Sequence, residues 1–131
     1  MNWCPAFSPE EGTGLDTNTP GEVRRHRLKL LFVCSRNRKR SLTAEEIFRG
    51  SDRYDVRSAG TQPGARVPLS AGLIGWADVI FFMEKSHRNR AAERFKEELS
   101  SKSCVVVNIP DDYEFMDPEL IDLLEVAVAH L

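Results

Sequence analysis

Apolar and polar positions along the chain follow two alternating patterns, continuous apolar runs and helical spacing. Four segments of strand length are rich in apolar or β-branched residues: 28–33, 54–57, 78–83 and 104–109. Three segments carry apolar residues three or four positions apart, which predicts helices: 41–49, 86–99 and 118–131. Asp117 and Pro118 suit the cap and the first position of the last helix.

The strand and helix segments follow one another along the chain, which predicts an α/β fold. Strands that are apolar throughout are typical of a parallel sheet with helices on both faces, so we expect a three-layer sandwich. Ligands of such folds bind at the carboxyl ends of the strands. The first strand ends at Val33, and the loop after it is the first place to look for chemistry.

Residues 1–26 differ from the rest of the chain. They are rich in proline and glycine and show no periodicity, so we expect a flexible N-terminal extension before a single domain over 27–131. Hydrophobic residues make up 41% and charged residues 29% of the 131 positions, as in ordinary soluble proteins. No apolar run approaches the roughly 20 residues that span a bilayer. No export signal precedes the domain, so we expect a cytoplasmic protein without a membrane partner.

The three cysteines of the chain are Cys4, Cys34 and Cys104. They form neither a C-x-x-C pair nor a spacing typical of zinc sites. We therefore expect unpaired thiols, no metal and no other cofactor. One of the three is a candidate for a reactive thiol, and the residues around each must decide which.

The formal net charge of −2 hides an asymmetry along the chain. Between positions 24 and 53, ten Lys or Arg stand against three acids, whereas positions 111 to 125 hold seven acids and no Lys or Arg. Solvated surface is one explanation. A local anion site, with a proton donor in the acidic segment, is the other. Charge alone does not choose between them.

The loop after the first strand combines a cysteine with four cations and leads directly into a helix. Its residues are Cys34, Ser35, Arg36, Asn37, Arg38, Lys39, Arg40 and Ser41. A helix N-terminus is an anion site because its first N–H groups have no partner within the helix. Inward N–H groups of a loop add further donors, and the same field favours a thiolate over a thiol.

Arg40 and Ser41 complete a C-x5-R-S motif that begins at Cys34. A planar guanidinium can grip two phosphate oxygens at once. The serine hydroxyl can donate a hydrogen bond to the sulfur when the sulfur leaves. These are the groups needed to form and break a cysteinyl-phosphate. Neither Cys4 nor Cys104 has an arginine six positions further on.

The segment LLFVCSRNRKRSLTAEEIFR resembles the start of the low-molecular-weight protein tyrosine phosphatase family, with its V-C-x-G-N-x-C-R-S loop. Three further pieces agree in the family's order: 58–61, 77–87 and 109–113. The resemblance covers residues 28–131 and implies a four-stranded parallel sheet with flanking helices. It also implies hydrolysis of phosphomonoesters through a phosphocysteine, with a phosphotyrosine protein as the default substrate.

The resemblance implies roles for single residues. Cys34 matches the nucleophile and Arg40 the arginine that grips phosphate. Ser41 and Ser58 match serines that brace the loop, and Asn37 matches the loop asparagine. The residues that we expect to bind phosphate are Ser35, Arg36, Asn37, Arg38, Lys39 and Ser41.

The general acid of that family is an aspartate in an Asp-Pro loop after the fourth strand. Asp111 occupies the matching position, and Asp112, where the family has proline, is the alternative. The chemistry needs a protonated carboxyl near the leaving oxygen and then a base that activates water. Tyr113 matches an aromatic residue that walls the substrate cleft.

Three departures from the family pattern concern the substrate. Arg36 replaces the loop glycine, Lys39 replaces the second loop cysteine, and the segment 62–75 is much shorter than in the family. The added cations suggest a target more anionic than phosphotyrosine, such as a nucleotide or a phosphorylated RNA end.

Two other functions stay open at this level, as does the oligomeric state. One is a module that binds phosphate or nucleic acid without turnover, which fits the replaced glycine and the short middle segment. The other is an arsenate reductase, which uses the same fold and loop. A reductase needs resolving thiols within reach of the nucleophile, and no cysteine lies between Cys34 and Cys104.

Overall fold

The computed structural model describes residues 27–131. Its strands are β1 (Leu28–Cys34), β2 (Tyr54–Gly60), β3 (Val79–Phe82) and β4 (Ser103–Val106). Its helices are α1 (Arg40–Ile47), α2 (Ala71–Trp76), α3 (Lys85–Ser100) and α4 (Pro118–Ala129). The predicted extension over residues 1–26 lies outside the described residues. Within residues 27–131, no helix has the length and apolar character that a membrane crossing requires.

The four strands form one parallel sheet in the order β2-β1-β3-β4. Val33 of β1 pairs with Ala59 of β2 on one side and with Phe82 of β3 on the other. The chain therefore moves from β1 to one neighbour and then returns to the opposite neighbour. Such a switch in strand order opens a crevice at the carboxyl end of the first strand, which here is Cys34.

Both faces of the sheet are buried, because β1 sends alternate side chains to opposite sides. Leu30, Phe32 and Cys34 pack on the face covered by α1 and α4. Leu31 and Val33 pack on the face covered by α2 and α3. This confirms the expected three-layer α/β sandwich with a four-stranded parallel sheet.

The main differences from the predictions are one missed helix and the ends of two strands. The sequence pattern did not predict α2, because a helix of six residues is too short to show helical periodicity. β2 runs on to Gly60, beyond the predicted end at Arg57. β4 ends at Val106 instead of at position 109, and Asn108 then adopts the left-handed conformation, with a φ of 57°.

The last helix begins as predicted. The side chain of Asp117 accepts a hydrogen bond from the Glu119 N–H at 2.9 Å, and Pro118 occupies the first turn. This cap starts α4 within the acidic segment. The residues before the cap are held at both ends: the Ile109 N–H donates to the Met83 carbonyl at 2.8 Å, and the Met116 N–H donates to the Thr43 hydroxyl at 2.9 Å.

Candidate active site

The loop between β1 and α1 is anchored to the segment that follows β2. The carbonyl groups of Cys34 and Ser35 accept hydrogen bonds from the N–H groups of Thr61 and Gln62, at 2.9 and 3.0 Å. The carbonyl of Arg36 accepts one from the N–H of Arg66 at 3.0 Å. These bonds occupy three consecutive carbonyl oxygens of the loop. The loop therefore has a fixed backbone before any ligand binds.

Gly60 makes this close approach possible. A Cβ atom at this position would lie 2.5 Å from the Ser35 carbonyl oxygen and 2.7 Å from the Cβ of Ala65. Both distances are well inside normal contact, and one of the atoms belongs to the backbone. The glycine of the Ser-Ala-Gly-Thr segment is therefore required for the loop to pack against β2.

Polar groups of the loop surround the sulfur of Cys34. The side chain is 2% exposed. The N–H of Asn37 donates to Sγ at 3.2 Å, and the Ser41 Oγ lies 3.0 Å from it. The side-chain amide of Asn37 donates to that Oγ at 2.7 Å. The hydroxyl proton of Ser41 then has two acceptors within reach, the Cys34 sulfur at 3.0 Å and the Ala59 carbonyl at 3.4 Å. The sulfur therefore lies next to a backbone N–H and a hydroxyl of its own loop.

Asn37 has a positive φ of 60°. Asparagine is one of the few residues other than glycine that adopt this conformation readily. Arg36, where the resembled family has glycine, is not among the residues with positive φ. An arginine is therefore accommodated at this position without backbone strain.

Arg40 is buried at the start of α1, with 3% of its surface exposed. Its Nη1 donates to a carboxylate oxygen of Glu84 at 2.6 Å and to the Ile109 carbonyl at 2.8 Å. Its Nε lies 3.7 Å from a carboxylate oxygen of Asp111, and its Nη2 makes no hydrogen bond within residues 27–131. The segments that follow β3 and β4 hold the guanidinium. We call Cys34, Asn37, Arg40 and Ser41 the inner wall.

A cavity of about 310 Å³ opens above the inner wall. Its lining residues are Cys34, Ser35, Arg36, Arg38, Lys39, Arg40, Gln62 and Asp111. Arg36, Arg38 and Lys39 are exposed, and we call them the cationic rim. Lys39 contacts Glu114 at 3.5 Å. Among residues 27–131, Arg36 and Arg38 have no ion-pair or hydrogen-bond partner for their side chains.

The two candidate acids occupy different positions. Asp111 lines the cavity and faces Arg40, with 65% of its side chain exposed. Asp112 is exposed and does not line the cavity. Tyr113 does not line it either: its ring packs on the core, and its hydroxyl donates to Glu119 at 3.3 Å.

Ser58 acts on the loop through other side chains. Its hydroxyl donates to a carboxylate oxygen of Glu45, and the same oxygen lies 3.6 Å from the guanidinium of Arg66. Arg66 in turn donates from Nε to the Asn37 carbonyl at 3.3 Å. Ser58 is thus connected to the loop through Glu45 and Arg66.

His87 fixes the other side of the loop. The Glu84 N–H donates to its Nδ1 at 3.0 Å. Nε2 therefore carries the ring proton and donates to the Ser35 hydroxyl, at 2.9 Å. Burial, with the charge of Arg40 as the second cause, lowers the pKa of His87 from 6.5 to about 4. The ring is therefore neutral at neutral pH.

Sequence reasoning missed four residues of the site: Gln62, Arg66, Glu84 and His87. All four follow the carboxyl ends of β2 and β3, the two strands that flank β1. The polar segments directly after these strands were the available signal, because parallel strands end at the same edge of the sheet. Which strands flank β1 was the missing information. Within the described residues, no group of three or more His, Cys, Asp or Glu could hold a metal ion.

The other described cysteine lies far from the loop. Cys104 of β4 pairs with Ile80, which is level with Leu31 of β1. It is therefore two strands and three residues away from Cys34, roughly 14 Å from strand spacing and rise. A disulfide requires Cα atoms within about 7 Å. These two thiols cannot join without a large rearrangement of the sheet.

No family model and no curated protein sequence matches the chain, but solved structures do. The YwlE arginine phosphatase from Geobacillus stearothermophilus is 19% identical, with a TM-score of 0.61 over 79% of this chain and 92% of that chain. The tyrosine phosphatase Wzb from Escherichia coli K30 in complex with phosphate is 20% identical, with a TM-score of 0.62 over 78% and 94%.

A low-molecular-weight phosphotyrosine phosphatase from Vibrio cholerae O395 is 23% identical, with a TM-score of 0.61 over 79% of this chain and 95% of that chain. The similarity extends over nearly the whole length of each of these structures. The chain therefore has the fold of the low-molecular-weight protein tyrosine phosphatases, as the sequence resemblance implied.

Proposed function

We propose that the protein is a cysteine-dependent phosphomonoester hydrolase that forms a phosphocysteine on Cys34. The observation that carries this proposal is the surroundings of the sulfur. It accepts a backbone N–H and contacts a serine hydroxyl, at the floor of a cavity that a buried arginine also lines. These contacts match what an activated thiolate nucleophile needs.

The first step transfers the phosphoryl group to sulfur. The phosphate oxygens bind the N–H groups of the loop and the open Nη2 of Arg40, which stabilise the charge of the transition state. Cys34 Sγ attacks phosphorus and the bond to the leaving oxygen breaks. Asp111, in its protonated form, gives that oxygen a proton, so that an alcohol departs. Its position in the cavity lining favours Asp111 over Asp112 for this role.

The second step returns the enzyme to its starting state. Asp111, now a carboxylate, takes a proton from a water molecule as the water attacks phosphorus. The bond between sulfur and phosphorus breaks, and inorganic phosphate leaves. The Ser41 hydroxyl, 3.0 Å from Sγ, donates to the sulfur as negative charge returns to it. Glu84 and His87 position Arg40 and Ser35 during both steps.

The experiment is hydrolysis of para-nitrophenyl phosphate with reducing agent present. We expect turnover by the unaltered protein and its loss in Cys34→Ser, because a hydroxyl in this setting is a far weaker nucleophile. Cys104→Ser is the matched control and should retain activity, since Cys104 lies at the far edge of the sheet. Absence of turnover on any phosphomonoester, with the thiol reduced, would overturn the proposal.

A second candidate function is a phosphate-binding module without turnover. The unpaired guanidinium groups of Arg36 and Arg38 favour it, because they attract anions whether or not chemistry follows. If the protein is such a module, the Cys34→Ser variant should bind phosphate as well as the unaltered protein does. Neither should release inorganic phosphate from a phosphomonoester. The remaining alternative, an arsenate reductase, gains no support from Cys104, which lies too far from Cys34 to resolve a covalent adduct.

A further inference from the structure

The lining of the cavity suits a polar leaving group better than a phenol. Four of its eight residues are cationic, one is a carboxylate, and none is aromatic or aliphatic. A bound phenyl ring gains affinity by burying its faces against apolar side chains. The aromatic residue expected to supply such a wall, Tyr113, lies outside the lining, and its hydroxyl bonds to Glu119.

One phosphate does not use all the cations of the site. The loop N–H groups and Arg40 already serve a phosphate above Cys34. Lys39 is near Glu114 at 3.5 Å. Arg36 and Arg38 are left without an ion-pair or hydrogen-bond partner inside residues 27–131. The site therefore has an excess of positive charge at its mouth.

The two arginines belong to one surface. Residue 37 between them is buried, whereas residues 36 and 38 are both exposed and both line the cavity. The one carboxylate in the lining, Asp111, faces Arg40 at 3.7 Å. Ordinary solvation explains a single exposed arginine. Two unpaired guanidinium groups beside the same cavity form a site for a second anion next to the first.

We infer that the substrate is a phosphomonoester whose leaving group carries a second phosphate, held by Arg36 and Arg38. This inference rests on the proposed function, since it assigns the substrate of the same site. A nucleoside bisphosphate has this chemistry, as does the phosphorylated end of an oligonucleotide, where a phosphodiester follows. A cavity of about 310 Å³ is at the small end of ligand sites, so it accommodates the phosphates and sugar, with the base outside.

The test compares substrates that differ in the second phosphate alone. Adenosine 3′,5′-bisphosphate and adenosine 5′-monophosphate are assayed in parallel, with para-nitrophenyl phosphate as a reference that lacks both sugar and second phosphate. We expect kcat/KM to be at least about 10-fold higher for the bisphosphate, since charge-assisted bidentate contacts are among the stronger hydrogen bonds in proteins. The preference should weaken as salt screens the rim.

The double variant Arg36→Gln/Arg38→Gln tests whether the rim causes the preference. We expect the ratio between bisphosphate and monophosphate to fall to about 2 or less, with a much smaller change on para-nitrophenyl phosphate. The matched control Arg53→Gln/Arg94→Gln removes two exposed arginines outside the cavity lining. It should keep the ratio of the unaltered protein, which separates a local contact from net charge.

A 5′-phosphorylated dinucleotide distinguishes the two sources of the second phosphate. Turnover above that of the bisphosphate identifies an oligonucleotide end, and the reverse identifies a free nucleotide. Either result supports the inference. Equal kcat/KM for adenosine 3′,5′-bisphosphate, the dinucleotide and the monophosphate would overturn it, as would a phosphotyrosine peptide without acidic residues that is turned over faster than all three.

Failure of the proposed function is recognised separately. If para-nitrophenyl phosphate is not hydrolysed at all, calorimetric binding of the same nucleotides decides the inference. Tighter binding of the bisphosphate, lost in Arg36→Gln/Arg38→Gln, upholds the second phosphate site in a non-catalytic module. Equal binding of bisphosphate and monophosphate would contradict both the rim site and its assigned ligand.

Discussion

The inner wall and the cationic rim come from the same eight-residue segment but have opposite environments. Every residue of the inner wall is at most 3% exposed, and each has a hydrogen-bond partner. The rim residues are exposed, and two of the three have no partner within residues 27–131. Both regions are cationic, so charge does not distinguish them. Burial and hydrogen bonding distinguish Arg40, to which we assign the chemistry, from the rim arginines, to which we assign recognition.

The largest expected effect is the difference in activity loss between a substitution of the buried Arg40 and one of the exposed Arg38. Arg40→Lys keeps the charge but loses the planar fork that Glu84 and Ile109 orient. We expect kcat/KM for para-nitrophenyl phosphate to fall by about 100- to 1000-fold, the range seen when a transition-state donor is removed. The matched rim variant Arg38→Lys should cost less than about 5-fold, since an exposed cation is replaced by another. Equal losses would abolish the distinction between wall and rim.

The second largest expected effect concerns Asp111, the proposed general acid. Asp111→Asn removes the proposed proton donor and should lower kcat/KM, which reports the first step, by about 100-fold for alkyl phosphates, at the low end for general acid catalysis. The loss should be smaller for para-nitrophenyl phosphate, whose leaving group needs little protonation. Asp112→Asn is the matched control, with an expected change of less than about 3-fold because Asp112 does not line the cavity. A larger loss in Asp112→Asn would reverse the assignment.

The pH dependence of the free energy of unfolding tests the contribution of His87, which contacts the loop from the side of β3. The pKa of His87 is about 4 in the folded protein and near 6.5 in an unfolded chain. The unfolded state therefore binds more protons between these values, and the free energy of unfolding should fall as pH drops from 6.5 through 4. The loss is on the order of 2–3 kcal/mol.

Urea titrations at pH 7 and pH 4.5 measure this loss. Arg40, Arg90, Glu84 and Asp111 are the charged groups that act on His87. His87→Gln should be less stable at pH 7 and lose less on acidification. The control His130→Gln replaces an exposed histidine near the C-terminus. It should lose as much stability between pH 7 and pH 4.5 as the unaltered protein does. If His87→Gln lost as much stability on acidification as the unaltered protein, His87 would not be the cause of the pH dependence.

The smallest effect concerns the packing of the loop on β2. Gly60→Ala places a methyl group 2.5 Å from the Ser35 carbonyl oxygen. We expect a loss of about 1–3 kcal/mol in the free energy of unfolding, as for other overpacked sites. Gly64→Ala is the matched control. It has no atom within 4 Å of the added Cβ and should change stability by less than about 0.5 kcal/mol. Thermal unfolding of both variants provides the comparison.

The inner wall was the more predictable of the two regions. Its residues are close in sequence, and they lie on a strand, a loop and a helix that follow one another directly. The sequence pattern therefore predicted the α/β class, the parallel sheet and the position of Cys34 at the end of β1. The left-handed asparagine also follows from local preference.

Contacts between distant segments were less predictable. Glu84 and His87 reach the loop only because β3 lies beside β1, and strand order is not encoded in local periodicity. Gln62 and Arg66 depend in the same way on β2. The position of Tyr113 away from the cavity follows from its packing on the core and its bond to Glu119, which no spacing rule predicts.

Rapid quench of a reaction with para-nitrophenyl phosphate, followed by mass spectrometry of the intact protein and its peptides, tests the central claim most directly. We expect the added mass of one phosphoryl group on Cys34 during turnover and none in Cys34→Ser. The adduct should be more abundant in Asp111→Asn than in the unaltered protein, because activation of water is slowed in that variant. Steady turnover with no such adduct on Cys34, or with the adduct on another residue, would contradict it.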